Sequence, residues 1–107
     1  MPDLCELTCT PCQGGVEPLR GAAIEDLHRQ VPEWNVVDQH HLTRTFTFRN
    51  FVEALEFVND VGDVAEALGH HPQICFTWGR VTVEIHTHKI DGLHTNDFIL
   101  ASRIDRL

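Results

Sequence analysis

The sequence is poor in basic residues. Its 107 residues include eight Lys and Arg against sixteen Asp and Glu, which gives a formal net charge of −8 at pH 7. Direct contacts with nucleic-acid phosphates need clustered Lys and Arg. The charge therefore argues against a direct nucleic-acid partner, while it leaves a protein partner open.

A long apolar run and a basic leader are also missing. No stretch approaches the roughly 20 apolar residues of a transmembrane helix, and the segment Met1 to Cys5 has no basic region followed by an apolar run. The sequence thus predicts neither a signal peptide nor a membrane partner. With 42% hydrophobic and 22% charged residues, we expect one globular domain located in the cytoplasm.

The N-terminal cysteines lack a fourth ligand. Cys5, Cys9 and Cys12 form a C-x3-C-x2-C pattern, with no further Cys or His near them in sequence. Because a tetrahedral zinc site needs four ligands, free thiols are favoured over a three-thiol metal site that borrows a ligand. Residues 1–17, with several Gly and Pro and few apolar anchors, are predicted to form a flexible N-terminal arm that is ordered only if it docks. Residues 18–107 form the predicted domain.

Apolar periodicity predicts the elements of this domain. A helix is expected over 19–31, strands over 34–37 and 41–48, and a long helix after Asn50, whose side chain caps it together with Glu53. Gly69 ends that helix and Pro72 prevents a restart. Strands over 73–78 and 80–88 and a helix from Thr95 follow. The order α-β-β-α-β-β-α predicts an α+β fold, a four-stranded antiparallel sheet with three helices packed on one face.

Histidines are concentrated near the end of the long helix. Five of the eight lie between residues 66 and 97, namely His70, His71, His86, His88 and His94. Imidazole titrates near pH 6.5, so such a group can donate one proton and accept another at neutral pH. Two other interpretations remain open at this point. The histidines can be exposed residues without a role, or His86 and His88 can share a metal ion with His70 or His71.

Three further side chains accompany the histidines. Glu66 precedes His70 by one helical turn and is placed to orient it. Asp97 lies at a predicted helix start, where a carboxylate favours the helix dipole. Trp78 ends a strand and offers a flat surface on which a heterocycle can stack.

The pattern Glu66-x3-His70-His71-Pro72-x5-Trp78-x9-His88-x8-Asp97 resembles the signature of the pterin-4a-carbinolamine dehydratases, also called 4a-hydroxytetrahydrobiopterin dehydratases. The resemblance extends to the opening Cys9–Leu19 and to the tail around Gly92 and Leu100, and so covers nearly the whole chain. It implies four antiparallel strands with three helices, and assembly into homodimers or homotetramers.

The resemblance also implies an activity. Members of this family remove water from a 4a-hydroxytetrahydropterin to give the quinonoid dihydropterin, and so recycle the pterin of aromatic amino-acid hydroxylases. They use no metal and no organic cofactor, since the pterin is the substrate. Animal relatives double as dimerisation cofactors of a transcription factor, so a protein-binding module is the alternative function.

The same resemblance suggests the roles of individual residues. His70, His71 and His88 are the expected catalytic residues, with His71 orienting the pterin and the other two exchanging protons. Glu66, Trp78, Thr87 and Asp97 are expected to bind the substrate or support the site. His86 and His94 are expected to be structural or exposed.

Overall fold

The computed structural model describes residues 3–10 and 15–107. Its three α-helices and four strands are, in chain order, α1 Ala22–His28, β1 Asn35–Val37, β2 His41–Thr47, α2 Phe51–Leu68, β3 Gln73–Thr77, β4 Arg80–Ile85 and α3 Thr95–Asp105. Short 3₁₀ helices span Leu4–Glu6 and His88–Ile90. Within the described residues no helix has the length and apolarity needed to cross a membrane.

The strands form one antiparallel sheet in the order β1-β2-β4-β3. Side chains alternate across β4, so that Val81, Val83 and Ile85 are fully buried while Thr82 and Glu84 are not. The buried row packs into a core shared with the helices, including Phe98 and Leu100 of α3. The predicted α+β class, the element order and the antiparallel sheet are confirmed.

Helix α2 begins and ends where the sequence predicts. The Asn50 side chain accepts a hydrogen bond from the Glu53 backbone N–H at 2.9 Å, which satisfies a donor that the first turn leaves free. Gly69 ends the helix in the left-handed region, with φ of 67°, a conformation that costs glycine little. The chain therefore leaves the helical path immediately before His70.

The predicted strand over 80–88 is three residues too long. Strand β4 ends at Ile85, and Thr87 pairs with Gly92 across a turn that contains the 3₁₀ helix. A Cβ atom on Gly92 would lie 2.7 Å from Cβ of Pro18, so the close approach of these two segments requires glycine here. The chain turns through the 3₁₀ helix and through Asp91, whose φ is 49°, so His88 lies in the turn instead of on the sheet.

The described part of the N-terminal segment contacts the loop after α1 and helix α3. Leu4 is 1% exposed, and its backbone N–H donates to the Gln30 side chain at 2.9 Å. The Arg103 guanidinium donates to the Leu7 carbonyl oxygen at 2.9 Å. The boundary at residue 17 between a flexible arm and the domain stays a prediction. The choice between free thiols and a three-thiol metal site involved Cys12, which lies outside the described residues.

Candidate active site

A cavity of about 660 Å³ lies beside the C-terminus of α2. Its walls come from the end of α2, the segment after β4, the first turn of α3 and the N-terminal segment. The lining residues are Cys9, Thr10, Leu68, Gly69, His70, His71, Pro72, His86, Thr87, His88, Lys89 and Asn96. The volume is typical of small-molecule sites. The three histidines expected to be catalytic thus line one cavity, which we call the pocket.

His70 is held by a buried carboxylate. Its Nε2 atom lies 2.5 Å from Oδ1 of Asp97, and the Asp97 side chain is completely buried while that of His70 is 13% exposed. Because a carboxylate only accepts hydrogen bonds, the hydrogen of this contact is on Nε2. Nδ1 is then the ring nitrogen that remains for proton exchange with a ligand.

The Asp97 carboxylate also joins two other segments. Its Oδ2 atom accepts from Thr87 Oγ1 at 2.8 Å and from the backbone N–H of His94 at 2.8 Å. It lies in the first turn of α3, where the helix dipole favours negative charge, as the sequence indicated. Asp97 does not line the pocket, so any part that it plays in substrate binding acts through the side chains that it holds.

His71 is paired with Glu66. Nε2 of His71 and Oε2 of Glu66 form a hydrogen-bonded pair, and the side chains are 59% and 77% exposed. The interpretation that Glu66 orients His70 is wrong, because the chain leaves the helix at Gly69 and turns His70 towards Asp97. An exposed pair of this kind contributes at most about 1 kcal/mol, so it positions His71 only loosely.

His86 lines the pocket next to His88. The two ring centroids are 4.2 Å apart. Burial, together with the neighbouring His88 and His40, lowers the pKa of His86 from its ordinary value of 6.5, so the ring is neutral at pH 7. His86 was expected to be structural or exposed, although its spacing of two residues from His88 was a signal that both rings lie near each other.

Trp78 lies outside the pocket. It is 64% exposed and follows the C-terminal end of β3, whereas His70 and His71 precede the N-terminal end of that strand. Five residues of strand separate the two ends by roughly 16 Å. A contact between Trp78 and a ligand in this pocket would require a second chain, and its predicted role in substrate binding stays a prediction.

Asn96 fixes the wall that the N-terminal segment contributes. Its side chain is 2% exposed, accepts from the Thr10 backbone N–H at 3.0 Å and donates to the Thr10 carbonyl oxygen at 2.7 Å. The Cys9 thiol lies 3.6 Å from the Asn96 carbonyl oxygen. The sequence offered no signal for these contacts, because 86 residues separate Thr10 from Asn96 and the segment was predicted to be a flexible arm.

The metal site suggested by the sequence is not assembled. Among the residues that the structure describes, no group of three potential ligands joins His86 and His88 to His70 or His71. His94 is engaged elsewhere, since its Nδ1 atom accepts from the Asn96 backbone N–H at 3.1 Å and caps α3. The pocket therefore offers imidazoles for proton transfer, one of them backed by a carboxylate.

The amino-acid sequence is similar to those of known proteins. A family model described as "Pterin 4 alpha carbinolamine dehydratase" matches residues 17–107. A protein of Rubrobacter xylanophilus is 58% identical over 107 residues that cover 100% of both chains. One of Methylococcus capsulatus is 52% identical over 109 residues that cover 98% of this chain and 96% of the relative. Both are named "putative pterin-4-alpha-carbinolamine dehydratase".

Two solved structures have the same fold. One, described as a "transcriptional coactivator/pterin dehydratase" of Brucella melitensis, has a TM-score of 0.78 at 28% identity and covers 84% of this chain and 97% of its own. The other, described as a pterin dehydratase-like protein that is a RuBisCO assembly factor in the alpha-carboxysome, has a TM-score of 0.59 at 21% identity. It covers 69% of this chain and 87% of its own, and it shows similarity of fold alone.

We predict that the pocket thiol reacts slowly with alkylating reagents. Burial and the Asp97 carboxylate raise the pKa of Cys9 to about 11, while Arg103 acts in the opposite direction. Since only the thiolate attacks iodoacetamide, alkylation of Cys9 should accelerate about tenfold per pH unit between pH 7.5 and 9.5. Peptide mapping by mass spectrometry gives the rate, with the exposed Cys75 as internal control. Equal rates at the two thiols at pH 7.5 would contradict this assignment.

Proposed function

Since this chain belongs to the pterin-4-alpha-carbinolamine dehydratase family, we propose that it removes water from a 4a-hydroxytetrahydropterin to give the quinonoid dihydropterin. The C4a–O bond breaks, the oxygen leaves as water after gaining one proton, N5 loses its proton, and a C4a–N5 double bond forms. The observation that carries the proposal is the convergence of His70, His71 and His88 on one pocket. The reaction needs one proton given and one taken, which suits two imidazoles.

His70 is the base in this proposal. With Nε2 donating to Asp97, the neutral ring has its lone pair on Nδ1 and accepts the N5 proton there. The imidazolium that results is stabilised by the buried carboxylate, as in other sites where an aspartate supports a histidine base. Thr87 and the His94 backbone keep that carboxylate in place.

His88 is the acid, and His71 binds. The His88 ring is exposed at the pocket wall, so it takes a proton from solvent and delivers it to the departing hydroxyl. His71 lines the pocket and is paired with Glu66 outside it, and in this proposal His71 orients the pterin ring. The proton transfers need neither a metal nor an organic cofactor. The quinonoid dihydropterin must then gain two electrons and two protons from a separate reductase before it can serve the aromatic amino-acid hydroxylases again as a tetrahydropterin.

The chain also carries an unpaired apolar surface suited to self-association. Phe51, Val52 and Leu55 of α2 are 45%, 61% and 38% exposed, and Phe76 of β3 is 37% exposed. The rings of Phe51 and Phe76 are 5.4 Å apart, so the helix and the edge strand form one continuous patch. We propose that a second copy of this chain covers it in a homodimer or homotetramer, in line with the assembly that the family resemblance implies.

The acid and base assignments are tested by replacing each histidine. His70→Ala and His88→Ala should each lower kcat by about 10²–10⁴-fold, the usual effect of losing a positioned acid or base. His71→Ala should mainly raise KM. Stopped-flow absorbance of the 4a-hydroxypterin, measured against the uncatalysed loss, gives the rates in metal-free buffer.

The matched control is His41→Gln, because this histidine lies outside the pocket lining and pairs with Glu84. It should retain wild-type turnover. Unchanged kcat in both His70→Ala and His88→Ala, with the fold intact by circular dichroism, would refute the assignment. Full activity in the His70 variant alone would refute the role of His70 as base.

The proposed self-association is tested by adding charge to the patch. Val52→Asp should shift the sedimentation coefficient towards that of a monomer at micromolar concentration, because a buried unpaired carboxylate is costly in an interface. Asn35→Asp adds the same charge at an exposed position of β1 and should leave the assembly unchanged. A wild-type chain that sediments as a monomer would contradict the proposal and favour a heterologous protein partner for the patch.

A further inference from the structure

A second group of potential ligands lies beside the pocket and shares His86 with the pocket wall. His40 precedes β2, His86 follows β4, and Asp91 lies in the turn after the 3₁₀ helix. One potential ligand atom from each lies within 4.8 Å of the other two. His40 Nε2 is 2.8 Å from Asp91 Oδ1, and the His40 and His86 ring centroids are 4.8 Å apart. We call these three side chains the His40 cluster.

We propose that the His40 cluster binds a divalent late first-row transition metal ion such as Zn²⁺. Two imidazoles and one carboxylate are a ligand set that these ions accept, and three protein ligands leave a fourth position for water. Tetrahedral Zn²⁺ holds its N and O ligands roughly 3.3 Å from one another. The cluster reaches that spacing by small side-chain rotations, since His40 and Asp91 are 34% and 90% exposed.

The turns on both sides of the cluster contain residues with positive φ. Among the described residues, the non-glycine residues with positive φ are Asp38, Gln39 and Asp91. The first two are the turn that delivers His40, and the third is a ligand of the cluster. Positive φ at both central residues is the ordinary geometry of a two-residue hairpin turn, so the turn from β1 to β2 fixes where the backbone of His40 lies.

The proposed ligand His40 already has an orienting partner. Its Nδ1 atom lies 3.1 Å from Nδ1 of His41, and His41 Nε2 lies 3.2 Å from Oε1 of Glu84. In a metal-binding histidine, one ring nitrogen binds the ion and the other makes a hydrogen bond to a neighbouring group, which fixes the orientation of the ring. In His40, Nδ1 contacts His41, so Nε2, the atom beside Asp91, is the nitrogen available for the ion.

The site adjoins the pocket without belonging to it. His86 lines the pocket, whereas His40 and Asp91 do not. An ion bound to the cluster therefore fixes the His86 side of the pocket wall and has no part in the proton transfers proposed for His70 and His88. The formal net charge of −8 raises the local concentration of cations around the chain.

Equilibrium dialysis of the full chain against Zn²⁺, with elemental analysis of the bound metal, tests this site. Ions bound to the N-terminal thiols are those that a Cys5→Ser/Cys12→Ser chain no longer retains. Beyond these, the wild type should retain one ion per chain, and the thiol variant should retain the same ion. His40→Gln, His86→Gln and Asp91→Asn should each weaken this binding at least tenfold. His71→Gln, a change to an exposed pocket histidine, should leave it unaltered.

A second measurement uses the unchanged protein. Zn²⁺ titration followed by NMR should shift the ring resonances of His40 and His86 first, before those of His70 and His71. Absence of a retained ion, equal retention by His40→Gln, loss of the ion in His71→Gln, or confinement of all bound Zn²⁺ to the N-terminal thiols would each overturn the proposal.

Discussion

The buried carboxylate of Asp97 is the constraint on which the candidate site depends. A carboxylate removed from water is costly unless hydrogen bonds compensate it. Here His70, Thr87 and the His94 backbone supply those bonds, and the first turn of α3 adds a favourable dipole. One group thus ties the loop after α2 to the segment after β4 and to the start of α3.

The remaining features position other residues around that group. Gly69 turns the chain so that His70 faces Asp97 and His71 faces the solvent side with Glu66. Thr87 pairs with Gly92 across the turn after β4, and Gly92 packs closely against Pro18. This turn places His88 at the pocket wall. The N-terminal segment closes the pocket through Asn96 and Thr10, so a segment that looks dispensable in sequence contributes part of the wall.

Local signals were sufficient to predict the sheet, the helices and the ends of α2. The cap at Asn50, the stop at Gly69 and the alternation in β4 each depend on a few neighbouring residues, which a sequence displays directly. The clustering of the histidines left several interpretations open, and the resemblance to the dehydratase signature singled out His70, His71 and His88. In the structure all three line the pocket, together with His86.

Contacts between distant segments could not be predicted in this way. The His70–Asp97 bond joins residues 27 apart, and the His40–Asp91 bond joins residues 51 apart. The end of β4 was also misplaced, because alternation in the sequence continues through His88 while the chain turns so that Thr87 pairs with Gly92. The partner of Glu66 was also misassigned, since helical spacing applies only up to Gly69.

The most direct test of this account is the dehydration rate of Asp97→Asn. The amide keeps the shape of the carboxylate but can donate its own hydrogen to Nε2 of His70, which moves the ring hydrogen to Nδ1 and removes the base. We expect kcat to fall by about 10²-fold or more, with little change in KM. Thr87→Val, which removes one hydrogen bond to Asp97 but leaves its charge, should lose much less. A folded Asp97→Asn chain with wild-type kcat would contradict the account.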